Sequence, residues 1–295
     1  MTIPAFVNAG AGSAAAARAA LEAAGGFAVQ EVVGDAVGDA VRAAVAVGAR
    51  RVVVAGGDGT VAAAAAALAG TDVELAVLAG GTLNHFARAH GIPTAMDDAA
   101  ALAAAGTARR VDVARVNGRL FLNTSSVGAY VVFVRLREQL ERRMGYRLAS
   151  VLAAAATLGR LHRFTVEVEV DGVRRRYRTP IVFVGVGERE LRLPALGDPV
   201  PGGRSGLHVF VVRGRTRVAL LALAVVAAAR GVAHARTTPH LDSFLVDRVR
   251  IVMPRPRGNV AVDGELVPAV VPLDYELARG ELTVVTPGAG AERAG

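Results

Sequence analysis

The chain has 295 residues, enough for two ordinary domains, and its lack of cysteine excludes disulfides, zinc–thiolate sites and thiol nucleophiles. Its 34 basic residues are all arginine and exceed the 26 acidic ones, which gives a net charge of +8. Aromatic residues make up 4% of the chain and tryptophan is absent, so we expect no nucleic-acid partner despite the basic composition.

The hydropathy of the chain predicts a globular protein without a membrane span. The mean hydropathy is +0.40, and alanine and valine supply most of it. The longest apolar runs, such as 218–229, are shorter than the roughly 18 residues that a span needs. The N-terminus carries no basic segment or cleavage site typical of export, so we expect a cytoplasmic protein.

The first 112 residues alternate between short apolar runs and alanine-rich runs of helix length. Strands are predicted at 5–8, 27–33, 51–55 and 74–79, and helices at 13–24, 35–48 and 61–69. Because the strands are apolar on both faces, they are typical of a parallel sheet that helices cover on both sides. Such sheets bind ligands beyond the carboxyl ends of their strands.

Three loops of small residues, 8–12, 56–60 and 80–82, directly follow three of these strands. Glycine lets a phosphate approach the backbone closely, and a helix that begins after the loop directs its free N–H groups at the phosphate. Asp58 has the wrong charge to bind phosphate and fits a magnesium ion or a hydroxyl proton instead. The loops together predict a nucleotide-phosphate site at one edge of the sheet.

After residue 112 the pattern changes to short strands joined by tight turns. Asn117-Gly118, Asp171-Gly172 and Asp263-Gly264 each separate two strand-like runs, which is typical of hairpins. Further strands are predicted at 165–170, 173–178, 181–186, 207–212 and 246–253. Helices are predicted at 131–161, with a break near Gly145, and at 218–231, and a long loop at 188–204. We expect an α/β domain at 1–112, a mostly antiparallel domain at 113–288 and a flexible tail at 289–295.

Net charge divides along the same boundary. Residues 1–112 carry a net charge of −3, whereas residues 113–295 carry +11. This asymmetry indicates either a solvated arginine surface or a second domain that faces an anionic partner. Two arginine groups are candidate patches: Arg174, Arg175, Arg176 and Arg178, and Arg213, Arg215 and Arg217.

In order and spacing these motifs resemble the diacylglycerol kinase catalytic family, bacterial lipid kinases related to sphingosine and ceramide kinases. The resemblance rests on Gly-Gly-Asp-Gly-Thr at 56–60, Gly-Thr-Leu-Asn-His-Phe-Ala-Arg at 81–88, Gly-Ile-Pro at 91–93 and Asp-Gly-Glu at 263–265. It implies a fold of class α/β plus β. The N-terminal domain would be a Rossmann-like parallel α/β domain of the NAD kinase and lipid kinase type, and the C-terminal domain an antiparallel β-sandwich.

The resemblance implies transfer of the ATP γ-phosphoryl group to the hydroxyl of a diacylglycerol-like or sphingoid-like lipid at the cytoplasmic face of the membrane. Mg²⁺ would travel with the nucleotide. The expected partners are ATP, a membrane lipid and an anionic membrane surface, to which the protein would attach peripherally. A homodimer stays open, and the sequence does not select the lipid.

The resemblance also assigns roles to residues. Asp263 is the candidate base that accepts the hydroxyl proton, with Asp58 second, and Asp58 and Asp112 are candidate metal ligands. Thr82 is placed to cap the following helix or to contact a phosphate. The residues expected to hold ATP are Asn8, Gly10, Gly12, Gly56, Gly57, Asp58, Gly59, Thr60, Gly81, Thr82 and Glu265.

Two departures and two alternatives accompany this interpretation. His85 stands where family members usually carry Asp. Arg204 and Ser205 replace the acidic pair that binds a structural magnesium in many members, so we predict no structural metal in the loop that contains them. NAD kinases share Gly-Gly-Asp-Gly but would carry Asn-Glu where Asn84-His85 stand. A nucleotide-binding regulator without catalysis is the second alternative.

Overall fold

The structure is a computed structural model that describes residues 2–34, 36–145, 148–149, 152–153, 156–157, 163–191, 196–200, 202–213 and 241–288. The chain divides into two compact units. Unit 1 is Met1–Val113 with Ala278–Gly295, and unit 2 is Ala114–Leu277. The predicted domain boundary at 112/113 lies beside this division, but the predicted second domain ends at 288, whereas the chain returns to unit 1 at Ala278. The predicted tail at 289–295 lies outside the described residues.

Unit 1 contains a parallel sheet, which confirms the predicted parallel α/β domain. Its strand order is β2 (Phe27–Val32), β1 (Ile3–Asn8), β3 (Arg51–Gly56), β4 (Glu74–Ala79) and β18 (Leu273–Thr286). Helices α1 and α5 pack against one face through small side chains such as Ala20 and Ala100. The elements are β1 Ile3–Asn8, α1 Ala14–Ala24, β2 Phe27–Val32, α2 Ala36–Ala46, β3 Arg51–Gly56, α3 Asp58–Leu68, β4 Glu74–Ala79, α4 His85–Ala89, α5 Met96–Ala105 and β5 Thr107–Val116.

Unit 2 consists of two antiparallel sheets with an apolar core between them, as predicted for the second domain. One sheet has the order β14-β13-β10-β7-β16-β17, and the other contains the first half of β18 with β15, β8 and β9. The elements are β6 Arg119–Phe121, β7 Thr124–Gly128, α6 Ala129–Met144, β8 Phe164–Val170, β9 Val173–Thr179, β10 Ile181–Val186, β11 Arg189–Leu191, β12 Leu196–Pro199, β13 Leu207–Val212, β14 Leu241–Val246, β15 Arg248–Val252, β16 Arg257–Val262, β17 Glu265–Val270 and β18 Leu273–Thr286.

The three predicted hairpin turns are all present. Asn117, Asp171 and Asp263 have φ of 48°, 50° and 47°, and the glycine after each has φ between 77° and 87°. Asn and Asp tolerate this left-handed conformation, which matches the twist of the strands they join. The turns connect β5 to β6, β8 to β9 and β16 to β17.

Several predicted elements differ from the structure. The strand predicted at 246–253 is divided between β14 and β15, and the loop predicted at 188–204 contains the β11–β12 hairpin. Helix α6 ends at Met144, before Gly145 with φ 75°, which is where the helix predicted at 131–161 was expected to break. The helix predicted at 218–231 lies outside the described residues. Within the described part of the chain, no helix has the length and apolarity needed to cross a bilayer.

Candidate functional site

The three predicted phosphate loops meet at one edge of the unit 1 sheet. Strands β1, β3 and β4 are parallel neighbours, and they end at Asn8, Gly56 and Ala79. Because parallel strands point the same way, the loops that follow them lie side by side. This edge therefore carries the residues that the sequence assigned to nucleotide binding.

Side-chain hydrogen bonds connect the three loops. Asn8 Nδ2 donates to Thr60 Oγ1 at 2.8 Å, and Asn8 Oδ1 accepts the Gly10 N–H at 3.0 Å. Ser13 Oγ donates to the carbonyl oxygen of Gly80 at 3.0 Å. Asn8 thus joins the first loop to the second, and Ser13, which the sequence analysis did not single out, joins the first loop to the third.

The second and third loops approach each other backbone to backbone. The Gly80 N–H donates to the carbonyl oxygen of Gly56 at 2.8 Å. A Cβ on residue 81 would lie 2.8 Å from the Gly57 Cα, closer than real Cβ contacts come. The glycine at 81 is therefore required by packing, independently of any ligand, whereas a Cβ on residue 57 would lie 3.5 Å from the Gly81 Cα, an ordinary contact.

Asp58 lies in the first turn of α3, three residues before the predicted start of this helix. Gly57 at the N-cap is extended and offers no side-chain cap, so the first N–H groups of α3 are left for a ligand or for water. The Asp58 Oδ1 accepts the Phe86 N–H at 3.4 Å, which is a long contact. The carboxylate thereby sits where α3 and α4 begin.

Thr82 does not cap the following helix. Helix α4 starts at His85, and its N-cap is Asn84, with φ 50° and no side-chain cap bond. The Asn84 Oδ1 instead accepts the Gly81 N–H at 2.8 Å and holds the glycine turn closed. Thr82 is exposed, and the half-buried His85 stands at the first helical position.

The two candidate metal ligands do not form a metal cage. The Asp112 Oδ1 accepts the Gly280 N–H at 2.9 Å. In the described ranges no three His, Asp or Glu side chains cluster as a metal site would require. Mg²⁺ is commonly held by one or two carboxylates together with nucleotide phosphates. The donors present therefore fit an ion that arrives with the nucleotide.

The loop where many family members hold a structural metal carries a cation instead. Arg204 donates to Glu188 Oε2 from its backbone N at 3.2 Å and from Nε at 3.4 Å. The Arg204 charge thus stands beside an acidic group there. Residues 192–195 and 201 of this loop lie outside the described residues, so the predicted absence of a metal stays a prediction.

Asp263, in unit 2, is held by backbone N–H groups on both carboxylate oxygens. The Oδ2 accepts the Leu122 N–H at 2.7 Å, and the Oδ1 accepts those of Asn123 at 2.8 Å and Thr124 at 2.9 Å. Burial raises the pKa of Asp263, while these N–H groups and the charge of Arg189 act to lower it. The carboxylate therefore ties the β16–β17 turn to the start of β7, a structural role that its motif did not indicate.

Arg189 is a buried cation that the sequence analysis missed. It is 4% exposed, and its side-chain Nε donates to the carbonyl oxygen of Val186 at 2.8 Å. Its backbone N–H donates to His208 Nδ1 at 2.8 Å. A Cβ on residue 185 would lie 2.6 Å from the Arg189 Cδ, so Gly185 provides the space for this side chain. Val186 is a near neighbour in sequence and His208 is more distant, and no local motif marks Arg189.

The remaining predicted ATP-binding residues are exposed. Gly10, Gly12 and Gly59 are solvent-accessible in the first two loops of unit 1. Glu265 begins β17 in unit 2, and its Oε2 lies 3.7 Å from Arg119 Nη2. Exposure is compatible with ligand binding but does not by itself indicate it.

The arginines of β9 do not form the concentrated patch expected from the sequence. Arg174 and Arg176 lie opposite Glu169 and Glu167 of β8, and Arg174 Nε is 2.8 Å from Glu169 Oε2. Arg175 stands over the Phe244 ring at 5.3 Å. In the second patch, Arg213 Nη2 lies 2.6 Å from Asp242 Oδ2, and Arg215 and Arg217 lie outside the described residues. Pairing across strands neutralises much of this charge.

Comparison with known proteins places the loops of unit 1 in a family. Residues 5–116 match the model of the diacylglycerol kinase catalytic domain. This segment belongs to the diacylglycerol kinase catalytic-domain family. It contains the three loops and Asp112, so the predicted family resemblance is confirmed for this part of the chain.

Related bacterial proteins match about half of the chain. The chain is 40% identical over 141 residues to a Pseudomonas aeruginosa protein named probable lipid kinase YegS-like, a match that covers 46% of this chain and 43% of the relative. It is 36% identical over 148 residues to a protein of the same name from Pseudomonas syringae pv. tomato, covering 49% and 47%. The match thus spans less than half the length of these relatives.

Solved structures match nearly the whole fold. A crystal structure titled as a diacylglycerol kinase from Bacillus anthracis aligns with a TM-score of 0.71 at 21% identity, covering 98% of this chain and 97% of that one. Another Bacillus anthracis structure aligns with a TM-score of 0.75 at 23% identity over 98% of both chains. At these identities the likeness supports the shared two-unit fold.

Glycine substitutions separate packing from ligand approach at this edge. A Cβ on residue 12 would meet nothing within 4 Å, so we expect Gly12→Ala to keep the melting temperature. If the first loop holds phosphate, the added methyl group should raise the Kd for ATP about tenfold or more, which corresponds to about 1.4 kcal/mol. Titration of each variant with ATP, alongside differential scanning fluorimetry, measures both quantities.

Two variants serve as references for Gly12→Ala. In Gly258→Ala the new Cβ would also meet nothing within 4 Å, and both the melting temperature and the Kd should stay unchanged. In Gly81→Ala the contact with Gly57 should lower the melting temperature. An unaltered ATP Kd in Gly12→Ala would remove the first loop from the phosphate site.

Proposed function

We propose that this protein is an ATP-dependent lipid kinase that transfers the γ-phosphoryl group to a lipid hydroxyl. The observation that carries the proposal is the junction of three small-residue loops at the carboxyl edge of β1, β3 and β4, inside the segment that belongs to the kinase family. The names of the Pseudomonas relatives, which are called probable lipid kinases, support a lipid as the acceptor.

The phosphate chain of ATP is proposed to lie against the first turn of α3 and the glycine loops. Free N–H groups at a helix N-terminus favour anions, and the extended backbone of Gly57 leaves those of α3 uncapped by a side chain. A magnesium ion bound with the nucleotide would neutralise phosphate charge, and Asp58 is the residue proposed to contact it. Asn8, Thr60 and Asn84 hold the loops in place through the hydrogen bonds described above.

The acceptor hydroxyl is proposed to lose its proton to an aspartate. Asp263 is the first candidate because a carboxylate held by three N–H groups has a fixed position. Burial raises the pKa of Asp263, and the three N–H groups and the charge of Arg189 act in the opposite direction. Asp58 stays the second candidate.

Attachment to an anionic membrane surface is proposed to use arginines that lack acidic neighbours. Residues 113–295 carry a net charge of +11. Arg178 is exposed and lies opposite Thr165, without the glutamate that faces Arg174 or Arg176. Each arginine near an anionic surface contributes about 1 kcal/mol, so a few would give reversible attachment.

Transfer of labelled phosphate tests the function directly. The purified protein, γ-³²P-ATP and Mg²⁺ should be incubated with micelles of diacylglycerol, a sphingoid base or a polyprenol, and separately with NAD⁺. We expect label in one organic-extractable lipid and none with Asp58→Asn. Label in NADP⁺ alone would support the NAD kinase alternative, and ATP binding without any transfer would support the regulator.

The assignment of the base is tested by Asp263→Asn. The amide would turn an N–H donor toward the Leu122 N–H, so the variant should lose about 1–3 kcal/mol of stability. If Asp263 accepts the proton, kcat per folded molecule should also fall by a factor on the order of 10². Activity and melting curves should be measured on the same preparation.

Asp171→Asn is the matched control, because Asp171 occupies the same position of an Asp-Gly hairpin turn with φ 50°. It should change neither stability nor kcat. Full kcat in folded Asp263→Asn would assign Asp263 a structural role and leave the proton to Asp58.

Sedimentation with liposomes tests the proposed attachment. The protein should bind vesicles rich in phosphatidylserine at low salt and leave them at 1 M salt, where the Debye length is about 3 Å. Phosphatidylcholine vesicles should stay unbound. Equal, salt-insensitive binding to both vesicles would indicate an inserted apolar surface in place of arginine contacts.

A further inference from the structure

Strand β7 places two consecutive serines on opposite faces of the six-stranded sheet. The Ser125 Oγ lies 3.1 Å from the Tyr275 Oη, in the core between the two sheets of unit 2. Because side chains alternate along a strand, Ser126 points to the other, outer face. In the sheet, Ser126 is paired with Phe183 on one side and with Ala261 on the other.

Apolar clusters lie on both sides of Ser126. Phe183 packs with Phe210, and their ring centroids are 6.1 Å apart. Ala261 packs with Val134 of helix α6, which covers this part of the outer face. Ser126 is therefore a polar group in an otherwise apolar strip.

The Ser126 hydroxyl is buried without a hydrogen bond. Ser126 is 2% exposed, and its Oγ has no partner in the part of the chain that the structure describes. Ser125 is buried to the same degree, but its hydroxyl is bonded. Since an unpaired buried hydroxyl costs free energy, its retention points to a partner other than the described residues.

The candidate base lies near this hydroxyl along the same two strands. Asp263 follows Ala261 by two residues, and it binds the N–H of Thr124, which precedes Ser126 by two residues. Two residues of a strand span about 7 Å. Asp263 therefore lies about 7 Å along the strand from the residue that is paired with Ser126.

We propose that the Ser126 Oγ is a hydrogen-bond partner for the head group of the acceptor lipid, on the outer face of the six-stranded sheet beside Asp263. The inference rests on the proposed lipid-kinase function. The ligand class is an amphiphile whose hydroxyl-bearing end contacts Ser126 and whose hydrocarbon contacts the clusters of Phe183 and Val134. A mostly apolar surface with a few placed polar groups is the usual composition of such sites.

Ser126→Ala tests this subsite because it separates stability from activity. Removal of an unpaired hydroxyl should raise the melting temperature, on the order of 2–4 °C. Loss of one hydrogen bond to the lipid should raise the KM for the acceptor about three- to tenfold and leave the KM for ATP unchanged. Both values should be measured with the lipid that the wild-type protein phosphorylates.

Ser125→Ala is the matched control, one residue away on the opposite face. It leaves the Tyr275 hydroxyl without its partner in the core, so the melting temperature should fall. The KM for the acceptor should stay at the wild-type value. We therefore expect the melting temperature to rise in Ser126→Ala and to fall in Ser125→Ala, and the acceptor KM to change only in Ser126→Ala.

Four results would overturn the subsite. An unchanged acceptor KM in Ser126→Ala, with an active wild-type protein, would refute it and leave the kinase proposal intact. A lower melting temperature in Ser126→Ala would show that the hydroxyl has a partner within the fold. Equal KM changes in both variants would indicate altered packing. A wild-type protein that phosphorylates no lipid would refute the kinase proposal and this inference with it.

Discussion

The close approach of Gly57 and Gly81 is the constraint on which the unit 1 site depends. With a Cβ on residue 81 only 2.8 Å from the Gly57 Cα, no other residue fits there without moving a loop. Once the two loops touch, the Gly80 N–H can bond to the carbonyl of Gly56, and Ser13 can reach Gly80. The same approach brings the start of α3 beside the start of α4. The arrangement of this edge is thus a consequence of backbone packing, and Gly56, Gly80 and Gly81 are needed by the fold itself.

In unit 2 the carboxylate of Asp263 holds neighbouring loops together, as close glycine packing does in unit 1. Asp263 gathers three consecutive N–H groups, from Leu122 to Thr124, and so fixes the β16–β17 turn against the beginning of β7. A group used in this way is well positioned for chemistry, because its rotamer is determined by the backbone. It is also costly to replace, because an amide cannot accept at both ends. Structural and catalytic roles for Asp263 are therefore compatible, and only kinetics on folded protein can separate them.

Local features of the fold could be predicted from the sequence, whereas long-range features could not. The parallel strands, the Asn-Gly and Asp-Gly turns and the loops at the sheet edge all depend on neighbouring residues. The return of β18 to pair with β4 joins residues about 200 positions apart, as the pairing of Val284 with Leu75 illustrates, and no local pattern encodes it. Arg189 was also not predicted, although Gly185, which provides its space, is close to it in sequence, because no motif marks this pair. Thr82 was expected to cap the helix or to contact a phosphate, and the cap was wrong because the motif gives residue types but not the left-handed turn at Asn84.

The distribution of charge across the strands was the property that amino-acid composition predicted least well. The net +11 of residues 113–295 suggested broad positive patches, but a sheet arranges charges by register. On β8 and β15, Glu169 faces both Arg174 and Arg250, and Arg250 in turn faces Asp274. A row of alternating charges across four strands has little net field, however many arginines it contains. Any attraction to an anionic surface must therefore come from arginines that the register leaves opposite neutral residues, as it leaves Arg178 opposite Thr165. The number of such arginines, and not the total, sets how strongly the unit can bind a membrane.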